Sequence, residues 1–259
     1  MEFTHLLVET NDRHIATVTL NRPDKMNTFN SLLAEELHRS LTALDADDLV
    51  RVIVLKGAGR AFCAGIDVTE LEGKTPQQYR DWIGRMERPL LVISTLKTPV
   101  IAQVHGVAAA NGLGLVAAAD LAIADENARM GLTAINVGLN CVGPVLPVSR
   151  SIGRKKALEL LLFGDLIKAP EAQAMGLINR IAAKDQLEAE TQAWAETLAR
   201  KSPLAVQIAK SAFYTAEDMA YRQQFEYMNE AFARLCSTDD AKEGVSAFFE
   251  KRVPQWQGQ

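Results

Sequence analysis

His105-Gly106-Val107-Ala108-Ala109-Ala110-Asn111-Gly112-Leu113-Gly114-Leu115, running on to Asp120, follows a short apolar run from Val100 to Val104. Its side chains are too small for an ordinary core helix and too apolar for a flexible linker. Small residues from Ala108 to Gly114 let another group approach the backbone closely. The N–H groups that open the following helix have no acceptor inside it, so they are free to meet a negative oxygen. Fixed donors of this kind make an oxyanion site from main chain alone. Between Ala108 and Leu115 the only polar side chain is the neutral amide of Asn111, so the stretch holds no acid, base or nucleophile.

Around this stretch the chain alternates strands with helices. Leu6 to Thr10 and Ile15 to Leu20, joined at Asn11-Asp12, predict a β-hairpin ended by Asn21-Arg22-Pro23. Leu33, Leu37, Leu41 and Leu44 recur at helical spacing and predict a half-buried helix from Ser31 to Leu44, capped by Asn30 or Ser31. Val50 to Leu55 is a buried strand, Gly57 to Gly65 a loop, and Val100 to Val104 and Leu121 to Ala124 are two further strands. This βαβ rhythm implies an α/β fold with a largely parallel sheet. Beyond Gly153, helices are expected at Lys155 to Leu162, Glu171 to Met175, Gln186 to Ala199, Pro203 to Tyr214 and Ala216 to Leu235, with a short strand at Ile178 to Ile181. One domain results, with a core over 1–190 and a C-terminal helical region over 191–259. Phe213, Phe225, Phe232 and Phe248 in the helical region need a cover from the body or another subunit.

Composition narrows the function. The 259 residues are 48% hydrophobic and 23% charged, which is ordinary for a globular chain. A net charge of −4 argues against a nucleic-acid surface, and no apolar run is long enough for a membrane span. The start, Met1-Glu2-Phe3-Thr4-His5, lacks the features of a secretion signal. Cys63, Cys141 and Cys236 are odd in number and widely spaced, which favours a reducing, cytoplasmic setting over a disulfide framework. His5, His14, His38 and His105 are scattered and no CxxC or HExxH pattern exists, so no metal is expected.

Several segments, in order along nearly the whole chain, resemble the crotonase, or enoyl-CoA hydratase/isomerase, superfamily. They are Asn21-Arg22-Pro23 with Asn27 and Asn30, Ala61 to Asp67, His105 to Asp120, Leu160 to Gly164, Glu171 to Ile178, and Gly244 to Arg252. The resemblance implies a ββα spiral with a C-terminal helical trimerisation region, assembled as a homotrimer or dimer of trimers. It also implies a coenzyme A thioester as substrate, with no separate cofactor. The thioester oxygen would be held by the backbone N–H groups of Ile66 and Asn111. Coenzyme A contacts would come from Lys25, Met26 and Ala64, and from Phe232 and Lys251 in the C-terminal region, often of a neighbouring subunit. A lysine suits the nucleotide phosphates.

The chain departs from the resemblance where hydratases carry their two glutamates. Gly114 and Ala134 stand at those positions, and neither titrates. General acid–base catalysis contributes ~10²–10⁴-fold, so ordinary hydration is in doubt. Asn140 and Cys141 lie where some relatives hold a catalytic acid. No His, Lys or Arg flanks Cys141 in sequence to activate its thiol, and a small buried cysteine in a tight turn is the simpler reading. Asp67 reads as a helix N-cap, Glu70 and Glu72 as solvated, His105 as a hydrogen-bonded structural histidine, and Asp120 as holding local structure.

Three functions fit these residues. The first is an acyl-CoA or enoyl-CoA enzyme of the hydratase/isomerase type with a rebuilt or weakened proton-transfer apparatus. The second is an acyl-CoA decarboxylase, which forms the thioester enolate without a general base. The third is a non-catalytic acyl-CoA-binding subunit.

Overall fold

Alternation along Ile15-Ala16-Thr17-Val18-Thr19-Leu20 divides the core in two. Ala16, Val18 and Leu20 join one buried cluster, and Ile15 points into another. The computed structural model, which describes residues 2–258, shows how the other strands extend this division. β1 (Leu6–Thr10) and β2 (Ile15–Leu20) form the predicted antiparallel hairpin, with Leu6 opposite Leu20. Asn11 shapes the turn, since its Oδ1 accepts the N–H groups of Arg13 at 3.0 Å and Ile15 at 3.1 Å. β2 pairs in parallel with β3 (Val52–Gly57), which pairs with β4 (Val100–Val104).

α1 (Ser31–Asp45) covers one face. Its Leu33, Leu37 and Leu41 are fully buried, at about 1.5–3 kcal/mol each. Asn30 caps it by accepting the Leu33 N–H at 2.9 Å. α2 (Pro76–Ile93) lies beside α1 and buries Trp82, Met86, Pro89, Leu90 and Ile93. This helix is absent from the sequence reading, because Pro89 and the charges at Arg80, Arg85, Glu87 and Arg88 obscure its pattern. The signals exist nonetheless: a Thr75–Gln78 capping box, Pro76 in the first turn, and apolar residues at helical spacing.

β5 (Val107–Ala109) leaves the main sheet and leads into α3 (Asn111–Ala118), the small-residue helix. β6 (Leu121–Asp125) returns to pair in parallel with β4. β7 (Arg129–Gly131) pairs with β5, and after α4 (Val145–Phe163) the short β8 (Ile167–Lys168) adds to β7. α5 (Ala169–Met175) precedes β9 (Arg180–Ala182), which completes the order β1-β2-β3-β4-β6-β9. Two expectations shift here, and a small second sheet is new. α4 begins ten residues before Lys155 and bends at Gly153 (φ 76°, ψ 165°). The strand expected at Ile178 starts at Arg180, because Leu177 and Ile178 fill the core instead. The second small sheet has strands of only two or three residues, too short to announce themselves by alternation.

α6 (Leu187–Ala199) closes the opposite face, with Leu187, Ala195 and Ala199 against Ile15, Val52, Val54, Ile101 and Ile123. The division expected at 190/191 thus falls inside a helix that belongs to the body. α7 (Pro203–Glu217), α8 (Tyr221–Cys236) and α9 (Asp239–Glu250) form the C-terminal helical region. The two helices expected here are present, but the break between them lies at 218–220 rather than at Thr215, because Ala220 is extended (φ −63°, ψ 144°). Lys210 of α7 is buried and ion-paired with Asp120 at 2.7 Å, and Asp120 also accepts the Val100 N–H and the Tyr214 hydroxyl. Asp120 therefore ties α7 to β4 and the end of α3, a structural role as expected.

Candidate active site

The first half of the site is held by Asn27. Its side chain is fully buried, accepts the Arg22 N–H at 2.9 Å and donates to the carbonyls of Ala58 and Ala61, each at 2.8 Å. The Arg22 guanidinium meets Asp67 at 2.9 Å, with both side chains about nine-tenths buried. Burial pushes the Asp67 carboxyl up, but hydrogen bonds from Thr69 and Arg22 outweigh it and hold its pKa below the usual value. Asp67 also accepts the Thr69 N–H, so it is the N-cap expected of it.

These contacts set how the loop meets Phe29. The Phe29 N–H donates to Gly65 O at 2.8 Å, and the Asp67 N–H donates to Phe29 O at 2.6 Å. In such a parallel bridge, Gly65 and Asp67 face Phe29, and the N–H of Ile66 between them points the other way. No acceptor among the described residues takes the Ile66 N–H.

The second half is β5 and the start of α3. The Cys63 N–H donates to Val107 O at 3.1 Å, and the Ala109 N–H donates to Cys63 O at 2.9 Å, so the loop runs as a strand beside β5. Ala110 follows with φ 49° and ψ −114°. Positive φ in a residue with a Cβ costs on the order of 1–3 kcal/mol and gathers at functional sites. The first intrahelical bond is Gly114 N–H to Ala110 O at 2.9 Å, so Asn111, Gly112 and Leu113 have no intrahelical acceptor. Two glycines permit the approach. Gly65 (φ 112°) lies so close to Ala110 that an added Cβ would be 3.1 Å from the alanine Cβ. A Cβ on Gly112 would fall on the Cys63 carbonyl. The Asn111 side chain is turned away, donating to Met86 O of α2 at 3.3 Å.

Where hydratases would carry carboxylates, this chain is filled differently. A Cβ on Gly114 would lie 2.5 Å from Leu90 Cδ2 and 3.0 Å from Pro144 Cβ, so the space is occupied. Ala134 lies in a short 3-10 turn, Thr133–Val137, and its backbone N–H faces the Cys141 thiol. Cys141 is 4% exposed and burial raises its pKa, while Asn140 Oδ1 accepts the Cys141 N–H at 2.8 Å. Cys63, also buried, is pushed up to about 12, chiefly by burial. Neither thiol is activated.

One carboxylate beside this region is missing from the sequence reading. Glu87 of α2 is half-buried, and burial raises its pKa. A Cβ added to Gly143 would overlap its carboxylate. Recognition of α2 as an amphipathic helix would have placed Glu87 on the flank of the Trp82–Met86–Leu90 face. Glu70, expected to be solvated, is instead half-buried between α1 and α2, accepting from Ser31 and from Trp82 Nε1 at 2.9 Å. Glu72 is exposed. His105 Nε2 donates to Gly59 O at 3.0 Å, the structural bond expected of it.

Of the residues expected to touch coenzyme A, Met26 and Ala64 are joined, the Ala64 N–H donating to Met26 O at 3.0 Å. Lys25 is exposed beside them. Phe232 is on α8, 67% exposed, and Lys251 caps α9 with φ 54°. Among the described residues no hydrogen bond or ion pair links either to Lys25, Met26 or Ala64. No group of three His, Cys, Asp or Glu side chains among them could hold a metal ion, and no helix is long and apolar enough to cross a membrane.

Residues 10–259 match the family model described as enoyl-CoA hydratase/isomerase. A putative enoyl-CoA hydratase from Thermus thermophilus is 37% identical over 254 residues, covering 96% of this chain and all of that relative. An (E)-benzylidenesuccinyl-CoA hydratase from Thauera aromatica is 35% identical, covering 95% of this chain and 96% of the relative. The crystal structure of an enoyl-CoA hydratase from Mycobacterium smegmatis superposes with a TM-score of 0.95 at 37% identity, covering 98% of this chain and 99% of the other.

Proposed function

Because the chain belongs to the enoyl-CoA hydratase/isomerase family, we propose that it binds an acyl-CoA or enoyl-CoA thioester and stabilises the negative oxygen of its enolate with the N–H groups of Ile66 and Asn111. The observation that carries this reading is the pair of unused donors on either side of the Gly65–Ala110 contact. Fixed donors aimed where charge develops cost no reorganisation during reaction, and removing one typically costs about 3–4 kcal/mol. Strain at Ala110 supports the same reading, since strained backbone gathers at functional sites.

Lys25, Met26 and Ala64 would meet coenzyme A at the mouth of the loop, with Phe232 and Lys251 of the C-terminal helices reaching its nucleotide. Those helices expose Phe213, Phe225, Phe232 and Phe248, which supports a homotrimer or dimer of trimers. Three free cysteines, two of them buried, suit a reducing cytoplasm. Hydration of a simple enoyl thioester is not the favoured reaction, because Gly114 and Ala134 supply no carboxylate.

The test compares butyryl-CoA with S-butyl-CoA, which lacks the carbonyl oxygen, by calorimetry. Markedly tighter binding of the thioester supports the reading. Equal affinities would show that the donors hold nothing. Thioester binding without any reaction would leave an acyl-CoA-binding subunit.

A further inference from the structure

Glu87 is unlike the other carboxylates around the site. Asp67 is paired with Arg22, Glu70 is bonded by Ser31 and Trp82, and Asp81 accepts from Gln77 at 3.0 Å. Glu87 has no hydrogen-bond or ion-pair partner among the described residues, although half-buried. Arg85 and Arg88, its neighbours on α2, are not paired with it. Neither of its oxygens is sealed from solvent, so the carboxylate is not a link in the packing and is free to meet another group.

Its surroundings show where it points. The carboxylate rests on the Cα of Gly143, where an added Cβ would overlap Oε1 and Cδ and lie 2.9 Å from Oε2. Gly143 leads into Pro144, which packs against Gly114 of α3. Leu90, nearly one turn along α2, reaches the same glycine, and Met86, the residue before Glu87, holds the Asn111 side chain. Glu87 thus lies between the helix that starts with Asn111 and the 141–144 turn. A carboxylate from α2 is presented beside the stretch where α3 and the 133–137 turn have none.

Resting on the oxyanion reading above, we infer that Glu87 is the proton-transfer group of this site. Its carboxylate takes a proton from the carbon next to the thioester carbonyl. The C–H bond breaks, its electron pair forms the enolate double bond, and the carbonyl π pair moves onto the oxygen held by Ile66 and Asn111. Return of a proton from Glu87 to the carbon reverses the step, so no oxidant or co-reactant is needed. Glycine at 143 leaves the room the carboxylate occupies.

The full-length protein is incubated with butyryl-CoA in heavy water, and deuterium uptake next to the carbonyl is read by mass spectrometry. Glu87→Gln should slow uptake at least ~10²-fold, the contribution of a general base, while the butyryl-CoA Kd stays within a few-fold. The variant should melt no lower than wild type, because it removes an unpaired half-buried charge. Gly143→Ala, which displaces the carboxylate without deleting it, should slow uptake as well. Exchange by Glu87→Gln at the wild-type rate, or wild type that binds butyryl-CoA and exchanges nothing, overturns the assignment and leaves thioester binding standing. Wild type that binds no butyryl-CoA overturns both.

Discussion

Gly114→Glu restores the carboxylate that hydratases of this type carry on the small-residue helix, and the structure predicts that it restores nothing else. The new Cβ would be 2.5 Å from Leu90 Cδ2, where carbon atoms rest at about 3.5–4.0 Å. Pro144 blocks the other side at 3.0 and 3.2 Å, and Leu90 is only 7% exposed. Overpacking of this kind costs about 1–3 kcal/mol, before the cost of placing a second carboxylate near Glu87. A loss of about 3 kcal/mol lowers Tm by roughly 6–12 °C in a chain of this size. The assay pairs a thermal melt with the loss of enoyl absorbance from crotonyl-CoA. Gly114→Glu is expected to melt well below wild type and to hydrate no faster than buffer, alone or with Ala134→Glu. Adding Leu90→Ala should make the pair less costly than the two single changes summed, since one vacates what the other fills. A Gly114→Glu protein that melts with wild type and hydrates crotonyl-CoA would refute the packing argument.

Gly112→Ala drives a Cβ onto the Cys63 carbonyl, stretches the bonds between the loop and β5, and should cost about 1–3 kcal/mol by urea titration. It should also slow deuterium exchange roughly 10²-fold, the penalty for misplacing donors by about an ångström. Cys141→Ala should leave exchange within a few-fold of wild type, because burial keeps the thiol protonated; complete loss would reinstate Cys141 as a reacting group. Burial raises the pKa of Glu70, but its bonds from Trp82 and Ser31 outweigh this and the repulsion of Asp67, leaving the net value below that of an ordinary glutamate. Its stabilisation is therefore complete above the unfolded value of 4.5 and fades as pH falls through the lower folded value. Urea midpoints measured from pH 6 down to pH 3 should consequently fall less steeply in Glu70→Gln than in wild type.

Local pattern was enough for most of the frame. Ile15 to Leu20 alternates, the leucines of α1 recur at helical spacing, and Val100 to Val104 is a short, mostly apolar run because both faces of that strand are buried. The small residues from Ala108 to Gly114 likewise declare that something approaches their backbone, and Asn27 with the Ala61–Asp67 loop carries the resemblance. α2 was hidden because a proline and several charges lie in a helix whose buried stripe is narrow. The positive φ at Ala110 and the orientation of the Ile66 N–H leave no trace in residue type, since alanine and isoleucine do not advertise them. The missing carboxylates could be read from Gly114 and Ala134 alone. That Leu90 and Pro144 have closed over one of those places, and that Glu87 arrives from another helix, depends on packing between segments far apart in the chain. Residue order determines which groups exist and which faces are apolar; only the folded chain decides which of them meet.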